Sequence, residues 1–542
     1  MSGDRQGGGG APLEERAQEL TFARALSLRA TSRPNDPFVV TRKRRMTFGE
    51  VEAESEALAA SLGELGIGVG DRTALVLPGC PEFVVGTFAL AKLGAVAVPL
   101  DPRLTPAELR YTLRNSGAEC AIVIEAFRGT DYLEMFQDFF RTLPDLHNVV
   151  SVGDEGLWYD DRVSTYVDLV SAGAGRDYEA PPAGPDDLFA IVYTSGRTEK
   201  LRGVELTHRS LAQAAAGTAD AVGLARTDVI VGVSAPFHAF GLGPGILGAA
   251  ISGASLVLQE EFDAADNLEL IARHRATVHF GVPTVFAAEL AEQRATARNL
   301  SSLRIGLVAG APMAEALFRE VQVRMCPVLL SAYSITEISS TVCITRPDDP
   351  AEKRRYTVGR PLPGVRVRVF DDNGAELPEE SLGELAFQGA GVMRGYHRQP
   401  QETASSLDRE GFFRTGDLGI VDEEGFVHLV GRKRSVILRS GSSVYPREIE
   451  VRLHAHPAVQ DVVVVGVRDP LLGEAVCASI VPLEGAVLTE EELRAWCRET
   501  LADYKVPDVI HFLDELPVTG TGKVRRVELV RLIEEARHHP SA

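Results

Sequence analysis

From about Thr47 onward, the hydrophobic positions switch repeatedly between helical and strand-like spacing. Apolar residues recur at helical intervals over Phe48–Leu65, Pro81–Leu93 and Pro106–Asn115, and short unbroken apolar runs occupy Thr73–Leu77, Ala95–Pro99 and Cys120–Ile124. A strand that is apolar on both faces needs cover on both faces. Helices alternating with such strands therefore predict a parallel sheet between helical layers. A second series of the same kind runs from Leu188 to Val342. Between Val365 and Val430 the strands shorten and are punctuated by Asp372-Asn373-Gly374 and Glu423-Glu424-Gly425 turns, which read as antiparallel β structure. After Gly431 a new unit begins. A strand at Ser435–Leu438, a helix at Pro446–Leu453, an apolar strand at Val462–Val467 and a helix at Glu490–Leu501 suffice for a small α+β domain.

The predicted architecture is thus α/β. A flexible tail over 1–20 leads into a large domain at 21–431, built of two parallel-type sheets and a β-rich, barrel-like subdomain at about 360–430. A small α+β domain at 432–542 follows. The junction Gly431-Arg432-Lys433-Arg434 is polar and charged, as a hinge would be. The stretch Val229–Leu258 contains no Asp, Glu, Lys or Arg over roughly the length of a membrane span. Pro236, Pro244, His238 and several glycines interrupt it, so it predicts a buried strand–loop–helix and no membrane association.

Composition narrows the function. A formal net charge of -20 disfavours nucleic acid as a partner, so a polyphosphate ligand has to be held by a local set of N–H groups and cations. The six cysteines show no metal-ligand spacing and no C-x-x-C pair, which predicts buried reduced thiols in a cytoplasmic protein.

The strand Ala190-Ile191-Val192-Tyr193 runs into Thr194-Ser195-Gly196-Arg197-Thr198-Glu199-Lys200-Leu201-Arg202-Gly203. A hydroxyl- and glycine-containing loop after a strand offers N–H and O–H donors to phosphate oxygens, although such a turn is a weak signal alone. Further motifs follow in order along the chain: Lys92-Leu93-Gly94-Ala95 with Pro99-Leu100, Pro236-Phe237-His238, Ala309-Gly310-Ala311-Pro312 and Tyr333-Ser334-Ile335-Thr336-Glu337. They continue with Gly383-Glu384-Leu385, Thr415-Gly416-Asp417-Leu418, Gly431-Arg432, Tyr445-Pro446-Arg447-Glu448-Ile449-Glu450, Leu516-Pro517 and Gly522-Lys523. The set resembles the adenylate-forming superfamily of acyl-CoA synthetases, nonribosomal adenylation domains and luciferases, over about Thr47 to Leu529.

The resemblance implies a reaction in which a carboxylate attacks the α-phosphorus of ATP and expels pyrophosphate, so that catalysis is mainly positioning and charge stabilisation. It implies ATP contacts from Thr194, Ser195, Gly196, Arg197, Thr198 and Arg202. Tyr333 is expected to stack on adenine, with Gly310, Ala311 and Pro312 along another edge. Asp417 is expected to accept the ribose hydroxyls, with Arg432 beside it. Thr336 is assigned to the α-phosphate and Glu337 to Mg2+, a cation that prefers oxygen ligands. Lys523 matches the catalytic lysine, carried on a mobile C-terminal domain that pivots at Arg434, and Gly441 leaves room for a pantetheine arm.

This loop departs from the pattern Y-T-S-G-T-T-G-x-P-K-G of its relatives. Arg197, Glu199, Leu201 and Arg202 replace threonine, glycine, proline and lysine. Arg197 either pairs with Glu199 or reaches the phosphates itself. In the acid pocket, His238 stands where amino-acid-activating relatives carry Asp. An imidazole gives an α-ammonium no counter-charge, so aryl or alkyl acids are favoured. Ala309 and Ala332 occupy positions that are glycine in roomier relatives, and with Phe240 they predict a small or planar acid. The leading expectation is formation of the acyl-AMP of a small carboxylic acid, followed by transfer to CoA. Transfer to a carrier-protein arm, nitrite activation for diazotisation and a non-catalytic nucleotide-binding homologue are the alternatives.

Overall fold

The computed structural model of the 542-residue chain describes residues 19–153, 160–178, 180–194, 201–233, 235–440, 442–469, 471–483, 485–518 and 524–538. Two large sheets form the N-terminal region. The first has eight strands, in the spatial order Gly395–Tyr396, Arg202–Thr207, Leu188–Thr194, Val96–Leu100, Arg72–Val76, Cys120–Ile124, Asn148–Val152 and Val163–Thr165. From Leu188–Thr194 to Val163–Thr165 every pairing is parallel, and the two strands at the other edge are antiparallel. The second sheet has nine strands. Its parallel centre runs Val328–Ile335, Ile305–Val308, Val278–Gly281, Val229–Val231, Ser255–Val257 and Pro37–Val40. Both apolar series therefore form the parallel sheets that their patterning predicts.

Local signals set the helix ends. Thr47 and Glu50 close a capping box at the start of Phe48–Glu64, and Thr105 and Glu108 do the same for Pro106–Ser116, where Pro106 occupies the first turn. Gly94 ends helix Pro81–Leu93 in the left-handed conformation, at φ +67°, which only glycine adopts without strain. Every residue of that helix except Glu82 is buried, and the largest apolar core draws on it, on helix His208–Val222 and on both sheets. A helix apolar on all sides has to be enclosed, and this one lies within the core that joins the sheets. Its last-turn Lys92 is buried with its ammonium 2.9 Å from Glu52, so this motif lysine ties two helices together.

The charge-free stretch folds as the strand Val229–Val231, a π-helical turn at Gly241–Leu247 around Pro244, the short helix Gly248–Ser252 and the strand Ser255–Val257, almost all of it buried. Among the described residues no helix is long and apolar enough to cross a membrane. The β-rich unit expected at about 360–430 is a four-stranded antiparallel sheet in the order Arg366–Phe370, Gly383–Gln388, Phe413–Val421 and Val427–Arg432. A 3-10 turn at Lys433–Ser435 leads to the small C-terminal α+β domain. Its five-stranded sheet centres on the long antiparallel pair Val459–Asp469 and Gly473–Pro482. All six cysteines are buried, as expected.

Candidate nucleotide and acid site

Parallel strands of α/β sheets direct their C-terminal ends to one edge, where connecting loops form ligand clefts. In the nine-stranded sheet that edge gathers Gly281, Ala309 and Ile335, at the ends of three neighbouring strands. Gly310, Ala311 and Pro312, the expected adenine-lining segment, are exposed there, and Gly310 turns the chain at φ +83°.

Tyr333, on the adjacent strand, is buried, and its hydroxyl donates to Asp417 Oδ2. Burial, and then the neighbouring Asp417 carboxylate, push the phenol well above its ordinary range, so it stays a donor at neutral pH. Asp417 faces Arg432 in register across two antiparallel strands, with the Arg432 Nε 3.0 Å from Asp417 Oδ1. Arg432 itself keeps 70% of its side chain exposed, whereas Asp417 keeps 11%. The Asp417 turn is built by its neighbours. Thr415 Oγ1 donates to the Leu385 carbonyl and accepts from the Asp417 amide, and Glu384 accepts from the Gly416 amide at 3.0 Å. Burial raises the Glu384 carboxyl, but Arg414 and Lys433 outweigh it and hold the group below its usual range. Tyr333, Asp417 and Arg432, three residues singled out in the sequence, thus form one contact chain at the cleft.

Thr336 and Glu337 begin the 3-10 turn that ends the Tyr333 strand, and both are half-buried. The two residues after that turn, Ser339 and Ser340, have φ values of 55° and 101°, unusual for residues with a Cβ and a form of local strain common at functional sites. Glu337 Oε1 accepts from the Tyr396 hydroxyl at 2.8 Å, and among the described residues no cationic side chain is paired with it. Nor is there among them any cluster of three or more His, Cys, Asp or Glu that could cage a metal. A single half-buried carboxylate suits Mg2+, which is commonly held by one or two carboxylates together with phosphates and water.

The expected phosphate loop spans a hairpin whose last described pair is Thr194 with Arg202. Ser195, Gly196, Arg197, Thr198 and Glu199 lie outside the described residues, as do Gly441 and Lys523. Arg434 falls in the turn Lys433–Ser435, with its side chain outside the described set. Arg202 is buried. Its guanidinium lies 4.9 Å from the centre of the Tyr396 ring, and its Nη1 is 3.2 Å from Glu402.

On the acid side, Phe240 meets Phe280 edge-on with ring centres 5.4 Å apart, and the Ala309 amide donates to the Gly281 carbonyl. Ala309 and Ala332 are buried in the same core. His238 is half-buried at the start of the π-helical turn, its ring edge-on to Phe237 at 4.9 Å. Gly241 keeps this loop tight, because a Cβ there would come within 2.4 Å of the Ala235 carbonyl oxygen. Sequence reasoning missed Phe280 and Tyr396. The first alternates with Val278 along a four-residue strand, a signal within reach. The second occupies a two-residue edge strand without any periodicity.

Comparison with known proteins agrees with this geometry. The chain matches the AMP-binding enzyme family over residues 26–397 and the AMP-binding enzyme C-terminal domain over residues 448–523. It is 32% identical to the putative acyl-CoA synthetase YngI of Bacillus subtilis, with 94% of this chain and 96% of that protein covered. It superposes on the anthranilate CoA ligase AuaEII in complex with anthranoyl-AMP with a TM-score of 0.88, at 26% identity and covering 97% and 100% of the two chains. Against ATP-bound MatB from Rhodopseudomonas palustris the TM-score is 0.85, at 28% identity with 95% and 99% covered.

Proposed function

The chain belongs to the AMP-binding enzyme family, and from that premise we propose that it activates a small aryl or short acyl carboxylic acid with ATP and passes the acyl group to the thiol of CoA. The observation that carries this reading is the Tyr333–Asp417–Arg432 chain, which holds a nearly buried carboxylate with its cationic partner still facing solvent.

An ionised carboxylate has the acceptors to take both ribose hydroxyls at once. The Tyr333 phenol fixes its orientation, and Arg432 has room to move onto the nucleotide. With the ribose anchored, the acid carboxylate attacks the α-phosphorus, the bond to pyrophosphate breaks, and an acyl-AMP results. Thr336 donates to the α-phosphate and Lys523 neutralises charge that builds between the two anions. The CoA sulfur then attacks the acyl carbon and AMP departs. Glu337 would hold Mg2+, whose chemistry is to offset the negative charge of the phosphate oxygens. Phe240 with Phe280, and the methyl groups of Ala309 and Ala332, favour a planar or short acid. An aryl acid of that kind, anthranilate, is the one for which the structural relative AuaEII is named.

Incubation with ATP, Mg2+ and a panel of benzoic, cinnamic, short-chain and long-chain acids tests the reading. Pyrophosphate release with aryl or short acids, and a CoA thioester of the same acid by mass spectrometry, are the expected results. Release with long-chain acids alone would reject the assigned substrate class. Release without a thioester would reject CoA as the acceptor.

A further inference from the structure

The segment Met393–Tyr396 grips Glu337 at two points. The Met393 amide donates to the Glu337 carbonyl at 2.9 Å, and the Tyr396 hydroxyl donates to its carboxylate at 2.8 Å. This segment is in turn fastened to the strand that follows the phosphate loop. Tyr396 pairs in register with Val204, and the Arg394 amide donates to the Glu205 carbonyl. The Tyr396 amide donates to Thr403 Oγ1 at 2.9 Å, which fixes the far side of the segment. Over the buried Tyr396 ring lies the guanidinium of Arg202, the cation at the end of the phosphate hairpin, itself 8% exposed and oriented by Glu402. A planar guanidinium covers an aromatic face as an ammonium does not. Glu337 sits in the middle of its 3-10 turn, and the Tyr396 hydroxyl is what holds its Oε1.

We propose that Tyr396 and Arg202 are positioning residues for Glu337: Arg202 acts through the Tyr396 ring instead of on the phosphates, and Tyr396 fixes the Glu337 carboxylate oxygen for the nucleotide-bound divalent cation. The proposal rests on the reading that Glu337 holds that cation. It also gives the replacement of the family's loop lysine by arginine a physical role. The arginine clamps a tyrosine, and direct contact with phosphate falls to the rest of the loop.

The test is a titration of the full-length protein with Mn2+, followed by electron paramagnetic resonance, in the presence of α,β-methylene-ATP and without acid. Glu337→Gln is expected to weaken Mn2+ binding strongly. Tyr396→Phe, which keeps the ring and loses the hydroxyl, is expected to weaken it about tenfold, the scale of one hydrogen bond to a charged group. Tyr396→Phe, which leaves the charge at the site unchanged, should not alter binding of the analogue measured without metal. Arg202→Gln is expected to weaken Mn2+ binding as well, and to add nothing further in a Tyr396→Phe background, since both act through one contact. Wild-type Mn2+ affinity in Glu337→Gln would overturn the metal reading and this inference with it. Loss in Glu337→Gln but not in Tyr396→Phe would overturn the positioning role alone. A fall in metal-free analogue binding in Arg202→Gln would return that arginine to the phosphates.

Discussion

Two nearly buried carboxylates in this protein look alike in isolation and differ in what surrounds them. Glu289 is completely buried. Its two oxygens lie 3.0 and 2.8 Å from His279 Nε2, and the Asn267 amide donates to Oε1, all three side chains being closed off from water. Asp417 is bonded to Tyr333 and paired with Arg432, but its cation is exposed. Burial of charge is thus a poor marker of a binding site. A buried charge that is closed off on every side contributes to the fold, and one whose partner can move aside is available to a ligand.

The largest expected effect separates the two. Removing one member of a sealed hydrogen-bonded cluster leaves the others desolvated and unpaired. Glu289→Ala should therefore cost about 4 kcal/mol of unfolding free energy in denaturant titrations. The remaining folded protein should keep its Michaelis constants. Replacing all three residues, by Asn267→Leu, His279→Phe and Glu289→Leu, should recover much of that loss, because well-packed apolar groups often substitute for a buried polar cluster. No recovery would mean that the cluster has a role beyond packing.

A second buried imidazole sharpens the contrast. Among the described residues no carboxylate is bonded to the His208 imidazole: its Nδ1 accepts from the Phe22 amide, its ring stacks on Phe189, and burial lowers its pKa to about 4, with Asp187 opposing weakly. The fold therefore holds it neutral, while the unfolded chain takes up a proton below about 6.5. Between those values the unfolded state binds more protons, so stability falls as pH falls and is fully present above about 6.5. The loss attributable to this residue is about 3 kcal/mol. His208→Asn, which keeps an acceptor near the same position, should flatten the stability profile over that range. An unchanged slope would assign the acid sensitivity to other groups.

At the open site the effect should appear in ligand binding. Asp417→Asn keeps the shape and loses the charge that accepts two hydroxyls. It should raise the Michaelis constant for ATP about tenfold or more, with kcat little changed. Its unfolding free energy should move by only about 1 kcal/mol. A loss of stability comparable to that of Glu289→Ala would erase the distinction between the two sites.

The same contrast explains what was legible in the chain. Tyr333, Glu337, Asp417 and Arg432 stand in the short motifs that carry the family resemblance, and the fold brings Tyr333, Asp417 and Arg432 into direct contact. The parallel sheets were legible too, because unbroken runs such as Cys120–Ile124 have no alternative to burial on both faces. The His279–Glu289–Asn267 cluster was not. Its members come from a strand and two helices, and no local spacing signals that they meet. Tyr396 escaped for a related reason: its partner Glu337 is 59 residues away in sequence. The π-helical turn at Gly241–Leu247 also lies beyond pattern reading, since its glycines and Pro244 read as helix breakers.

The smallest expected effect concerns selectivity. Ala309→Gly and Ala332→Gly each remove one methyl group from the acid side and should shift the kcat/KM ratio of a bulkier acid over a smaller one by up to about tenfold. An equal change for both acids would move these residues out of the pocket wall and into plain packing.

Whether the cleft makes an acyl-adenylate is read most directly from exchange of labelled pyrophosphate into ATP in the absence of CoA. That exchange requires reversible formation of acyl-AMP and nothing downstream of it. Exchange should depend on an aryl or short acyl acid, collapse in Lys523→Ala, and at low ATP fall in Asp417→Asn while persisting in the folded fraction of Glu289→Ala. Exchange absent with every acid, or equally strong in Asp417→Asn at low ATP, would contradict this reading.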